Sequence, residues 1–128
     1  MIYEISIVTT DRNKFSSLVQ ALCANTDSRI VWDDSVKGAG DRATGTPPDL
    51  MIVDEEVDGL SNLDIARHVV MTNAMVNLAV VSPLSHENFH EASEGLGILA
   101  QLPQSPGEDD ASRLLEAIGQ VSSLKNLA

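Results

Sequence analysis

The segment Pro48-Asp49-Leu50-Met51-Ile52-Val53-Asp54 sets a carboxylate at the end of an apolar run of strand length. Pro47 and Pro48 bar a helix from running into it. A strand buried on both faces reads this way, and in open α/β sheets the carboxyl ends of the strands form the crevice where ligands bind. Asp54 is therefore the first residue that could do chemistry. The other reactive types are less well grouped. His86 and His90 stand at i, i+4, a metal-compatible spacing without further ligands, and His68 lies apart from them. Ser16, Ser17 and Cys23 share a predicted helix with no evident base, so no nucleophile–base pair is supported.

The elements that must hold Asp54 alternate along the chain. Strands are expected at Ile2 to Val8, Arg29 to Trp32, Leu50 to Val53, Leu78 to Val81 and Ile98 to Leu102. Between them, Phe15, Leu18, Val19 and Leu22 fall at i, i+3, i+4, i+7, and Ile65, Ala66, Val69 and Val70 form a second one-sided stripe. Asp11 is placed to cap the first helix, over Arg12 to Ala24. The glycine- and proline-rich stretch from Asp33 to Pro48 leaves room only for a short helix around Ser35 to Ala43. A fourth helix starts at Ser85 and ends near Gly95 and Gly97, with little apolar content beyond Phe89, Ala92 and Leu96. Ser105-Pro106-Gly107-Glu108 has capping-box spacing ahead of the stripe Leu114, Leu115, Ile118 and Val121. The alternation predicts one α/β domain spanning residues 1–128, a parallel sheet with helices on both faces.

Charge narrows the function classes. With 19 acidic against 8 basic residues the net charge is −11, the cations are scattered, and aromatic residues make up 3%. Direct nucleic-acid and anionic-membrane binding are therefore not expected. No apolar run has the length of a bilayer span, and the single cysteine allows no intrachain disulfide, so a soluble cytoplasmic protein is the expectation.

Four features in order resemble the receiver domain of two-component response regulators: the Pro-Asp-Leu-Met-Ile-Val-Asp strand, Leu78-Ala79-Val80-Val81-Ser82, Glu91-Ala92-Ser93-Glu94-Gly95, and Leu102-Pro103. The resemblance covers nearly the whole chain. It implies a flavodoxin-like, three-layer doubly wound sheet of five parallel strands in the order 2-1-3-4-5. Asp54 then matches the phosphoacceptor, Ser82 the hydroxyl that contacts the phosphoryl group, and Leu102-Pro103 a peptide bond that is typically cis.

The chain departs from that pattern where phosphoryl chemistry needs charge. Thr9 and Thr10 stand in place of the acidic pair that holds Mg²⁺, and Leu102 in place of the lysine. Phosphoryl transfer relies on positioning and on cations that counter the equatorial oxygens, and Mg²⁺ prefers carboxylates and waters to neutral hydroxyls. A displaced set, Asp11, Asp54 and Glu56 with Glu55 beside them, is the remaining way to gather a cation, and possible Mg²⁺ binding rests on it. Alternatively, Asp54 accepts hydrogen bonds from Thr10, Ser82 or nearby amides. Asp58 replaces the proline usual in the following loop, which is expected to differ locally, and Leu99 replaces the aromatic residue of the fifth strand.

The reading that follows is an atypical receiver, not an enzyme, acting in phosphorelay-type signal transduction through protein–protein contact. Its expected partners are a histidine kinase, a phosphotransfer domain or an effector domain, with homodimerisation open. The expected surface is that of the fourth helix, fifth strand and fifth helix, around Phe89, Leu96, Leu99 and Ala111. The alternatives are a working Mg²⁺-dependent phosphoacceptor at Asp54 and a flavodoxin-like small-molecule binder. The last lacks a glycine-rich phosphate loop, since Thr9-Thr10-Asp11-Arg12 contains no glycine.

Overall fold

The computed structural model describes residues 2–25 and 27–127. In chain order the elements are β1 (Ile2–Val8), a 3-10 turn (Arg12–Phe15), α1 (Ser16–Asn25), β2 (Asp27–Asp33), α2 (Val36–Thr44), β3 (Leu50–Val53), β4 (Glu56–Val57), β5 (Leu60–Ser61), α3 (Asn62–Thr72), β6 (Leu78–Val81), α4 (His86–Ala92), β7 (Ala100–Leu102) and α5 (Glu108–Leu127). Five strands pair in parallel in the order β2-β1-β3-β6-β7. With the short β4–β5 hairpin set aside, this is the expected doubly wound order.

Period-two alternation divides the strands between two apolar layers. Ile5, Ile7, Leu50, Ile52, Ala79, Val81 and Leu102 face α1 and α5 and pack with Phe15, Leu18, Leu22, Leu114 and Ile118. Val8, Met51, Val53, Leu78 and Val80 face the opposite way, against α2 and α3 through Ala39, Ala43, Ile65, Ala66 and Val69. β3 and β6 are buried along their whole lengths, as a central parallel strand requires. α2 is built of small residues and lies close to α3: a side-chain carbon on Gly40 would stand 3.0 Å from His68 Nε2. Among the described residues no helix is long and apolar enough to cross a membrane.

Several local expectations are corrected. Asp11 makes no side-chain cap; the chain enters α1 through the 3-10 turn, fixed by fully buried Phe15. α5 begins at Glu108, two residues beyond Pro106, and its first turn is closed by Asp110, whose Oδ2 accepts from Gly107 N at 2.8 Å. The Leu102–Pro103 bond is trans. The fifth sheet strand is shorter than expected, because Ile98 and Leu99 lie before β7.

The loop after Asp54 is a hairpin. Asp58 and Gly59 both have positive φ, 57° and 77°, the backbone of a two-residue primed turn for which Asp-Gly is a preferred sequence. Val57, 1% exposed, anchors it in the core, and at the tip Asp58 Oδ2 accepts from Val36 N at 2.8 Å, in the first turn of α2. That carboxylate meets the positive end of the helix dipole.

Candidate functional site

β1 and β3 end side by side, with Val8 level with Val53, so the segments leaving them meet at the carboxyl edge of the sheet. Asp54 leaves β3 there, 6% exposed, and its backbone N–H donates to Val8 O at 3.0 Å. Both of its carboxylate oxygens have partners. Oδ2 accepts from Thr9 Oγ1 at 2.7 Å. Oδ1 accepts from the Glu55 backbone N–H at 2.7 Å and from Lys14 Nζ at 2.5 Å. Thr9 Oγ1 is engaged twice, since it also accepts from Asp11 N at 2.9 Å.

Lys14 is the residue that sequence reasoning missed, having been grouped with the scattered surface cations. The 3-10 turn swings it over the crevice, where Nζ lies 2.5 Å from Asp54 Oδ1 and 3.3 Å from Glu55 Oε1, with 19% of the Lys14 side chain exposed. Burial works against the charged ammonium, but the hydrogen bonds and charges of Asp54 and Glu55 outweigh it, and the Lys14 pKa is raised above its ordinary value of 10.5. A signal was present. A helix that follows a strand in a doubly wound sheet starts at the carboxyl edge, and cations in its opening turn oppose the dipole unless an acid waits there. Arg12, in the same turn, rests its guanidinium 5.1 Å from the ring centroid of Trp32 on β2.

The other site residues go elsewhere. Ser82 is buried, but its hydroxyl accepts from Leu84 N at 3.2 Å, turning the chain after β6, and no hydrogen bond joins it to Asp54. Thr10 is exposed and does not bond Asp54. Leu102 is a core residue, 1% exposed, and supplies no charge.

The structure does not bring Asp11, Asp54 and Glu56 together as a metal site. Asp11 is exposed and engaged through its backbone, and Glu56 is exposed on β4. Among the described residues no group of three or more His, Cys, Asp or Glu side chains could hold a metal ion. Mg²⁺, which the resemblance in the sequence implied here, fits poorly for a second reason. It needs oxygen ligands at about 2.0–2.1 Å in octahedral geometry, and the Asp54 oxygen facing the crevice is already bound to an ammonium. A dication about 4 Å from that ammonium would be repelled by ~8 kcal/mol at an effective dielectric of about 20, which offsets much of the pull of Asp54 and Glu55.

A second ion pair stands nearby. Arg42 on α2 grips Asp33 at the end of β2 through Nε at 2.6 Å and Nη2 at 3.1 Å, and Ser6 Oγ adds a 3.1 Å bond to the same carboxylate. Forked contacts of this kind are directional, and this one ties α2 to the sheet edge.

On another side of the molecule, α4, β7 and α5 enclose an open groove of about 520 Å³, lined by His86, Phe89, His90, Leu99, Gln101 and Arg113 among others. Two of the four residues expected on this surface are displaced: Ala111 is fully buried on the core side of α5, and Leu96 packs half-buried against the α2–α3 layer.

No family model and no curated protein matches the chain. Solved structures do. A CheY-like response regulator receiver domain protein from Methanospirillum hungatei superposes with TM-score 0.79 at 12% identity, over 96% of this chain and 98% of that one. The signal receiver domain of a modulated diguanylate cyclase from Desulfovibrio desulfuricans gives 0.76 at 18% identity, over 98% and 99%. The receiver domain of a sensor histidine kinase from Pseudomonas aeruginosa, solved with magnesium coordinated in its active-site cleft, gives 0.72 at 16% identity, over 93% and 99%. At these identities the shared property is the fold, and the fold is that of response regulator receiver domains.

Proposed function

We propose that this chain is a receiver-fold signalling module that works by binding a partner protein in a phosphorelay-type pathway, and that Asp54 serves it as an internal ion-pair partner instead of a phosphoacceptor. The supporting observation is the 2.5 Å contact between Lys14 Nζ and Asp54 Oδ1. An aspartate that attacks phosphorus must present a free oxygen in line with the leaving group, and cations must wait where charge develops on the phosphoryl oxygens. Here Oδ1 is held by Lys14 and an amide, Oδ2 by Thr9, and Leu102, where the resemblance puts a lysine, is a buried core residue without charge.

The groove between α4, β7 and α5 is the partner surface in this reading. It is open, bordered by exposed His86 and His90, and floored by buried Phe89. The partner is a histidine kinase, phosphotransfer or effector domain. The chain itself catalyses nothing, and its output is the association.

Incubation with acetyl phosphate and Mg²⁺ followed by intact-mass measurement tests the fate of Asp54. The expected result is an unchanged mass. A phosphate adduct on the wild type that vanishes in Asp54→Asn would reject the proposal in favour of a phosphoacceptor switch. Calorimetric titration with candidate kinase and effector domains tests the other half: binding should be the same with and without acetyl phosphate.

A further inference from the structure

We infer that Lys14 is the resident cation of the crevice: its ammonium takes the place of a divalent ion, so that the chain is indifferent to Mg²⁺. The site supplies two carboxylates, Asp54 and Glu55, against one ammonium bonded to both, at 2.5 and 3.3 Å. That trio carries a single net negative charge, too little to draw a dication through a set of otherwise neutral hydroxyls. Asp54 Oδ2 and Thr9 Oγ1 are also committed, because Thr9 Oγ1 donates to Asp54 Oδ2 and accepts from Asp11 N.

The ammonium is delivered by a turn pinned at both ends. Phe15, fully buried, fixes the residue after Lys14, and the stacking of Arg12 on Trp32 fixes the start of the turn. A cation tethered this way is present at an effective concentration set by the fold, whereas a free ion must compete from solution. The inference rests on the same Lys14–Asp54 pair as the proposed role of Asp54 and goes beyond that role to the metal.

The test is a Mn²⁺ titration of the ¹⁵N-labelled full chain, following paramagnetic broadening of the Asp11, Asp54 and Glu55 amides, with Mg²⁺ as competitor. Wild type should show no saturable, Mg²⁺-competed broadening at these amides. Lys14→Met should acquire it, because it leaves two uncompensated carboxylates side by side. Lys14→Gln, which keeps a hydrogen-bond donor and most of the side chain, provides the same comparison if the methionine variant fails to fold. Emission from Trp32, the only tryptophan, should be unaffected by Mg²⁺ in wild type and become Mg²⁺-sensitive in the variants. Saturable, Mg²⁺-competed broadening in wild type would overturn the inference. So would folded Lys14 variants that still reject Mn²⁺, since Lys14 would then not be what keeps the ion out. Phosphate transfer from acetyl phosphate in the presence of EDTA would reject the proposed function and leave this inference standing. Metal binding by wild type would reject this inference whether or not phosphate is ever added.

Discussion

The crevice at the carboxyl ends of β1 and β3 and the groove between α4, β7 and α5 are opposites in how their polar groups are used. In the crevice both carboxylate oxygens of Asp54 are bonded from within the chain, to Thr9, Lys14 and the Glu55 amide. In the groove Gln101 and Arg113 are bonded to Ser82, Leu84 and Asp110, but exposed His86 and His90 rim an open space of about 520 Å³. A surface that has satisfied itself has little left to offer a ligand; one that has not is where recognition is inexpensive. The fold is that of receiver domains, and in the function proposed above the closed crevice is silent and the open groove is what a partner would bind.

The sharpest way to break that contrast is to ask whether the groove is a built surface or loose packing. Its floor is Phe89, 6% exposed and the only buried residue of α4. Phe89→Ala should cost about 3 kcal/mol in urea unfolding, as a core truncation does; a cost under about 1 kcal/mol would make the groove a packing defect. Next comes the crevice. Lys14→Met strands the Asp54 carboxylate and should cost about 2 to 3 kcal/mol, at or below the lower limit of the ~3–5 kcal/mol for breaking a buried pair, because 19% of the Lys14 side chain is exposed. No measurable cost would mean that the pair is a surface contact and the crevice is not closed. The hairpin beside it is a smaller term: Gly59→Ala meets no neighbouring atom, so its cost should be the conformational one of a left-handed residue, about 1 kcal/mol by thermal unfolding. His90→Ala, on the exposed groove rim, should change stability by less than about 0.5 kcal/mol while weakening partner binding by calorimetry.

The smallest expected effect concerns pH. The Lys14 pKa is raised in the folded state, so its contribution is fully present below the unfolded value and is lost as pH rises through the folded one. The stability difference between wild type and Lys14→Met should therefore be flat through neutral pH and shrink only above the ordinary value of 10.5. A difference that shrinks near neutrality would assign the pair to another titrating group.

Most of the fold was legible because it is carried by period. The strands Leu50–Val53 and Leu78–Val81 are bounded where apolar runs stop, and the parallel sheet with helices on both faces follows from alternation, whereas the strand order was an implication of the resemblance. What escaped was short and local. Asp58-Gly59 is a hairpin turn, yet its two-residue strands are too brief to show alternation. Asp54 was recognisable as a strand-end carboxylate, and the losses at Thr9, Thr10 and Leu102 were recognisable against the family pattern. The compensating cation was not, because Lys14 lies 40 residues from Asp54 and its one signal, a cation in the opening turn of a helix at the carboxyl edge, does not say which acid it meets. The cis bond and the Asp11, Asp54 and Glu56 metal set had come from the resemblance and from charge proximity in sequence; in the folded chain Glu56 leaves on the hairpin and Asp11 turns outward.

The attachment of α4 carries a consequence for motion. Seven residues long and held by one buried side chain, it has the least to lose on opening of the five α-helices flanking the main sheet. Native-state hydrogen exchange should find the His86–Ala92 amides escaping through a local opening far below the global unfolding free energy, while β3 and β6 exchange only with the whole molecule. A partner seated on this helix would then select among populations that already exist, and its apparent affinity would carry the cost of the closed fraction it prefers.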